Sequence, residues 1–155
     1  EITELCQNGK DPLFVGILKG SFIFLADLVR QLPFSVEVDF LEVSSYGDAT
    51  ESSGIVRLTK DLSKNIAGRD VILVEDIIDT GLTLEFLAHI LQERQPNSIK
   101  ICTLLDKKVC RKGNIQVDFS GFEIPNEFVI GYGLDFAGHY RNLPYIGILK
   151  KELYT

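Results

Sequence analysis

Residues 71–74, VILV, constrain the fold most, because four consecutive branched apolar residues leave a strand with no wet face. Such a strand suits the interior of a parallel sheet covered by helices on both sides. The residues just beyond it are unusual for the end of a buried strand. Glu75, Asp76 and Asp79 bring three carboxylates, and Thr80, Gly81 and Thr83 lead into apolar residues at helical spacing over 83–94. The same alternation of types runs along the chain. Residues 11–18 read as a buried strand and 21–32 as an amphipathic helix. Residues 36–46 alternate like a strand with one wet face, 46–54 form a Gly/Ser/Asp loop, and 55–62 return beside the preceding strand. Further strands are expected at 98–106, 118–124, 128–135 and 145–150, and EITELCQNGK reads as the tail of a helix that begins before residue 1. Strands alternating with helices predict a doubly wound, mainly parallel α/β sheet, with the antiparallel pair at 36–62 as an insertion.

In such sheets ligands sit beyond the carboxyl ends of the strands. Three polar or glycine-containing breaks follow apolar strands: Lys19-Gly20-Ser21, Glu75 to Thr83, and Asp106-Lys107. The second is the richest chemically. Backbone N–H groups of a tight turn leading into a helix N-terminus attract phosphate. Thr80 and Thr83 add hydroxyls, and Gly81 permits close approach. The carboxylates suit sugar hydroxyls or a Mg²⁺ ion rather than a bare phosphate. A ribose 5-phosphate needs both kinds of partner a few ångströms apart. The alternative is structural: Asp79 or Thr80 caps the helix, and Glu75 and Asp76 are simply solvated.

Composition narrows the classes. The 155 residues are 45% apolar and 25% charged, enough for one domain with a real core. Sixteen basic against twenty-two acidic residues give a formal charge of −6, which disfavours a general nucleic-acid surface. No apolar run approaches membrane-spanning length, so no membrane partner is expected. Cys6, Cys102 and Cys110 have no metal-ligand spacing and read as reduced thiols of a cytoplasmic protein. No G-x-x-x-x-G-K-[ST] is present, which argues against a P-loop nucleotidase, and GYGLDFAG lacks the strand-turn-helix context of a dinucleotide fold.

VILVEDIIDTGLTL resembles the phosphoribosyl-diphosphate (PRPP) motif of phosphoribosyltransferases. Over almost the whole chain, ILKGSFIFLADL, VDFLEVSSYG, TLLDKK, GFEIPNEFVIGYGLD and YRNLPYIGIL resemble the hypoxanthine-guanine phosphoribosyltransferase family in its bacterial form. The resemblance implies a type I phosphoribosyltransferase fold: a mainly parallel twisted sheet flanked by helices, a mobile hairpin lid near 44–56, and a small base-binding hood near 107–141, all in one domain over 1–155. It also implies purine salvage, in which the 5-phosphoribosyl group of PRPP passes to N9 of hypoxanthine or guanine. The products would be IMP or GMP and pyrophosphate.

By the same resemblance, Glu75 and Asp76 hold the ribose, and Asp79 is the catalytic acid or base beside purine N7. Asp79, Thr80, Gly81, Leu82 and Thr83 wrap the 5′-phosphate, with Leu82 standing where mammalian relatives have Lys. Lys19, Gly20, Ser45, Tyr46, Arg111 and Arg141 are expected around pyrophosphate, with a cis peptide before Lys19; VCRKGN, around Arg111, departs from the family's pattern. Lys107, Phe128, Val129 and Asp135 are expected at the purine, Lys107 as donor to the 6-oxo group. Mg²⁺ is the implied cofactor, with Glu75, Asp76 and Asp135 as its candidate ligands, and a homodimer or homotetramer is the implied assembly. Two other readings share these residues: a PRPP-sensing regulator that binds nucleic acid, and a xanthine-preferring transferase.

Overall fold

A computed structural model describes residues 1–6, 11–45 and 56–154, except for the side chains of Leu5 and Ser45. After a five-residue helix α1 (Ile2–Cys6) come β1 (Leu13–Leu18), α2 (Phe22–Arg30), β2 (Glu37–Ser45) and β3 (Val56–Lys60). Next along the chain are β4 (Asp70–Ile78), α3 (Leu82–Gln92), β5 (Ser98–Asp106) and β6 (Phe119–Glu123). Two short strands, β7 (Val129–Ile130) and β8 (Gly147–Ile148), form a separate antiparallel pair. The main sheet has the order β3-β2-β1-β4-β5-β6. All neighbours in it run parallel except β2 and β3.

Alternate residues of the inner strands feed two cores, which is why those strands show no polar face. Leu13, Val15 and Ile17 of β1 join Val71 and Leu73 of β4 under Leu84, Leu87 and Leu91 of α3. Phe14, Ile72 and Val74 point to the opposite side, under Leu25 of α2. Complete burial of such a side chain contributes roughly 1.5–3 kcal/mol. Gly16 lets α2 lie close: a Cβ there would stand 2.7 Å from the Leu25 side chain.

Three expectations change. Residues 36–62 are not an insertion: β2 pairs in parallel with all of β1, Leu13 with Glu37 through Leu18 with Glu42, and only β3 is antiparallel. The α2 crossover returns the chain alongside β1. β4 extends beyond VILV to Ile78, because Glu75, Ile77 and Ile78 still pair with Thr103, Leu105 and Asp106. Residues 128–135 are not one strand. Gly131, Tyr132 and Gly133 have φ of 92°, 53° and 100°, so the chain turns sharply after two residues of β7.

That turn fastens the C-terminal part of the chain to the sheet. A Cβ on Gly133 would overlap the carbonyl oxygen of Gly20, so the turn seats directly on the loop after β1. Tyr132 donates its phenol to Asp27 of α2 at 2.5 Å. Burial, then the hydrogen bond to Asp27 and its charge, push the Tyr132 phenol up to about 12. A phenol pKa raised by folding contributes stability in full below its unfolded value near 10, and loses it as pH climbs to about 12. Tyr132→Phe is expected to cost about 1 kcal/mol at pH 8, since Asp27 is half exposed. The gap between variant and wild type should close between pH 10 and 12, as denaturant unfolding at the two ends of that window will show.

Candidate active site

The order of the sheet reverses between β1 and β4. Their crossovers leave to opposite faces, so a cleft opens beyond their carboxyl ends. It holds a cavity of about 330 Å³ whose walls include Lys19, Gly20, the 75–81 segment, Thr83, Asp135 and Arg141.

On the β1 side, the Leu18–Lys19 peptide is cis, as the resemblance implies. The turn behind it is held by fully buried Ser21, whose hydroxyl donates to the Ile17 carbonyl at 2.7 Å. Gly20 is there for contact: any Cβ would overlap the Asp76 carboxylate. The β1 loop therefore rests on the acids of β4.

On the β4 side, the Asp76 N–H donates to Glu75 Oε1 at 3.1 Å, and the Ile77 N–H to Asp76 Oδ1 at 2.8 Å. Burial, reinforced by the neighbouring Asp76 carboxylate, holds the Glu75 carboxyl well above the usual range. Two adjacent carboxylates in such a place are satisfied by incoming hydroxyl donors or a cation. Helix capping does not explain the turn beyond them. The residue at the α3 N-cap is Gly81, with φ of 81°, and it offers no side-chain acceptor. Thr80 Oγ1 receives only a long bond, 3.5 Å, from the Leu82 N–H. Leu82 itself is exposed and lies outside the cavity wall, whereas Thr80, Gly81 and Thr83 line it.

Behind this turn lies the segment after β5. The Lys112 and Gly113 N–H groups both donate to the Thr80 carbonyl, at 2.9 and 3.0 Å. A Cβ on Gly81 would press on Arg111 Cδ at 2.9 Å. Arg111, expected at pyrophosphate, does not reach the cavity. Its guanidinium pairs with the buried carboxylate of Asp106 and donates to the Ile115 carbonyl at 3.3 Å. A carboxylate as buried as Asp106, 2% exposed, needs that counter-charge, which keeps the arginine beneath the Thr80–Gly81 turn.

Lys107 begins where β5 ends. Its N–H donates to the Ile78 carbonyl at 2.9 Å, and its side chain is 8% exposed. The ammonium stands 3.6 Å from Asp79 Oδ2. Burial, then the nearby Asp79 carboxylate, push the Cys110 thiol up. Sequence reasoning marked Asp106 only as part of the Asp106-Lys107 break and gave Cys110 no role at the site. A cysteine three residues past Lys107 carries no signal until the short 3-10 turn Lys108–Cys110 brings it back toward the strand ends.

Across the cleft, Asp135 Oδ1 pairs with Arg141 at 2.8 Å, and its Oδ2 accepts the Gly138 N–H at 2.7 Å. Arg141 also donates to the Gly133 carbonyl at 2.7 Å. Glu75, Asp76 and Asp135 do not form a ready-made metal cluster. Among the described residues no three acidic, histidine or cysteine side chains gather to hold an ion. Asp135 is instead engaged by Arg141. Val129 opens the small β7–β8 sheet and Phe128 precedes it, and neither lies in the cavity wall. Ser45 contributes its backbone to β2, paired with Val56. Tyr46 and the rest of the expected lid over 46–55 lie outside the described residues.

The family model described as the phosphoribosyl transferase domain matches residues 1–137. The hypoxanthine-guanine phosphoribosyltransferase of Bacillus subtilis (strain 168) is 54% identical over 153 residues, 97% of this chain and 85% of that protein. The crystal structure of a hypoxanthine phosphoribosyltransferase from Staphylococcus aureus superposes with a TM-score of 0.93 at 49% identity, over 99% of this chain and 83% of that one. A hypoxanthine-guanine phosphoribosyltransferase from Bacillus anthracis does so with a TM-score of 0.90 at 47% identity, covering 96% and 87%. With the PRPP-type turn at the switch point and this likeness along the whole chain, the protein belongs to the hypoxanthine-guanine phosphoribosyltransferase family.

Proposed function

We propose that the protein catalyses transfer of the 5-phosphoribosyl group of PRPP to N9 of hypoxanthine or guanine, giving IMP or GMP and pyrophosphate. The observation that carries this is the 3.6 Å approach of Lys107 and Asp79 beside an acid pair and an uncapped helix N-terminus. An ammonium donates and cannot accept, so it favours a 6-oxo group over the 6-amino group of adenine. A carboxylate next to it suits N7, where Asp79 would hold or move the proton as the base bonds to the ribose.

The remaining groups fall around that axis. Glu75 and Asp76 would accept the ribose hydroxyls in short charged hydrogen bonds. The N–H groups of the Asp79–Thr83 turn and the two threonine hydroxyls would bind the 5′-phosphate. Lys19, the backbone of Gly20, and Arg141 would receive pyrophosphate, with Ser45 and Tyr46 arriving from the lid. Phe128 would stack on the purine and Val129 would offer backbone groups to it, while Arg111 acts from beneath the phosphate turn. Glu75, Asp76 and Asp135 are hard oxygen donors of the kind Mg²⁺ takes one or two at a time beside phosphate oxygens and water. When bound, Mg²⁺ neutralises charge on the leaving pyrophosphate. By family resemblance the enzyme would act in the cytoplasm as a homodimer or homotetramer. No helix among the described residues is long and apolar enough to cross a membrane.

Purified protein with PRPP and Mg²⁺ should release pyrophosphate with hypoxanthine and guanine and hardly at all with adenine; no turnover with any base would refute the proposal. Asp79→Asn should slow single-turnover nucleotide formation by about 10²-fold or more. Unchanged chemistry would remove the proton-transfer role. Lys107→Ala should raise the KM for hypoxanthine by roughly tenfold or more, as expected for losing a charged hydrogen bond, with little change in the KM for PRPP. Gly20→Ala should abolish PRPP turnover without unfolding the sheet, because the methyl group and the Asp76 carboxylate cannot share one space; circular dichroism and initial rates together check this.

A further inference from the structure

Phe128 is 36% exposed, immediately before a sheet of only two strands, a unit too small to be rigid by itself. Its backbone is pinned, since the Leu149 N–H donates to the Phe128 carbonyl at 2.8 Å and continues the β7–β8 ladder. That leaves the ring orientation to be set by side chains. Among the described residues, two aromatic rings lie against the Phe128 ring. Phe136 meets the ring edge-on, with centroids 5.7 Å apart and planes at 88°. Tyr154 lies closer, at 5.1 Å and a tilt of 31°. Both separations fall within the favourable range for aromatic pairs.

Tyr154 reaches that position by a specific device. After β8 the chain folds back through a 3-10 turn, Lys151–Leu153, closed by Leu153 N–H to Lys150 carbonyl at 3.0 Å and Tyr154 N–H to Lys151 carbonyl at 3.1 Å. The turn returns the tyrosine over the residue that precedes β7. Tyr154 also lies beyond residue 137, where the match to the phosphoribosyl transferase domain ends. The closer of the two rings against Phe128 thus comes from a part of the chain outside the segment matched by that domain family.

We infer that Tyr154 is a positioning residue for the purine, its ring holding Phe128 in the orientation that stacks on the base. The inference rests on the stacking role proposed for Phe128. It assigns Tyr154 no contact with PRPP and no step in the chemistry. The ring, and not its hydroxyl, does the work.

Initial-rate kinetics on the full chain test it with Tyr154→Ala, Tyr154→Phe and Phe128→Ala. Tyr154→Ala should raise the KM for hypoxanthine about three- to tenfold, the size expected for an aromatic pair. Its kcat and KM for PRPP should stay near wild type, and Tyr154→Phe should restore the base KM. A proportional loss in both substrates, or no rescue by phenylalanine, would overturn the inference in favour of a general loosening. So would an unchanged or lowered base KM in Tyr154→Ala when Phe128→Ala raises it. If Phe128→Ala leaves the base KM unchanged, the stacking role itself falls and the inference with it. A second readout needs no turnover. The chain has no tryptophan, so Phe128→Trp is a single-site fluorescent probe. Its anisotropy should drop when Tyr154→Ala is added, and a value unchanged by that addition would contradict the positioning role.

Discussion

The structure depends on the parallel pairing of β1 with β4 at the centre of the sheet, from Leu13 opposite Val71 to Gly16 opposite Val74. The crossovers on either side of that pair go to opposite faces, α2 to one and α3 to the other, and this buries both faces of the inner strands. The same reversal leaves the carboxyl ends of β1 and β4 uncovered, so the packing that stabilises the sheet also creates the cleft. Gly16 keeps α2 close on one face, and Gly20 lets the β1 loop rest on Asp76. The two loops that face the cleft are thereby positioned against each other, and Gly133 adds a third point of contact at the Gly20 carbonyl.

The charges around the cleft are largely satisfied by one another. Asp79 faces Lys107, Asp135 faces Arg141, and Asp106 holds Arg111. Glu75 and Asp76 instead sit side by side as adjacent carboxylates, with Glu75 pushed toward its protonated form. Incoming ligand groups would replace or join these existing partners. The 3.6 Å gap between Lys107 and Asp79 is too long for a strong direct hydrogen bond. It suits two groups that each bond to a third partner between or beside them.

Much of this was legible in the sequence where burial and chemistry coincide. VILV announced a two-sided strand because a branched apolar run has no other stable place, and the 98–106 strand was read to the residue for the same reason. The cluster from Glu75 to Thr83 stands out because it gathers more acids and hydroxyls than a helix cap would use, and the structure then puts Gly81 at the N-cap. Other features are set by tertiary contacts and leave little local trace. GYGLD looks like a strand by composition, and only left-handed φ values at 131–133, imposed by packing on the β1 loop, turn it. Arg111 is drawn beneath the Thr80–Gly81 turn by a buried partner, Asp106, that the strand pattern conceals. The alternation along β2 does not mark a wet face: Asp39 is buried, accepting the Ser63 and Lys64 N–H groups, while Val38 is exposed. Tyr154 is invisible as a site residue, since its significance lies in a turn that brings it back to Phe128.

The central claim is that the Lys107–Asp79 pair at the ends of β5 and β4 reads the 6-oxo edge of a purine held by its ribose phosphate. Titration calorimetry of the protein with IMP and with AMP tests it most directly, since the two nucleotides share the ribose phosphate and differ at the purine edge. IMP should bind at least about tenfold more tightly, the result of one well-placed polar contact that AMP lacks. Equal affinities, or tighter binding of AMP, would contradict it.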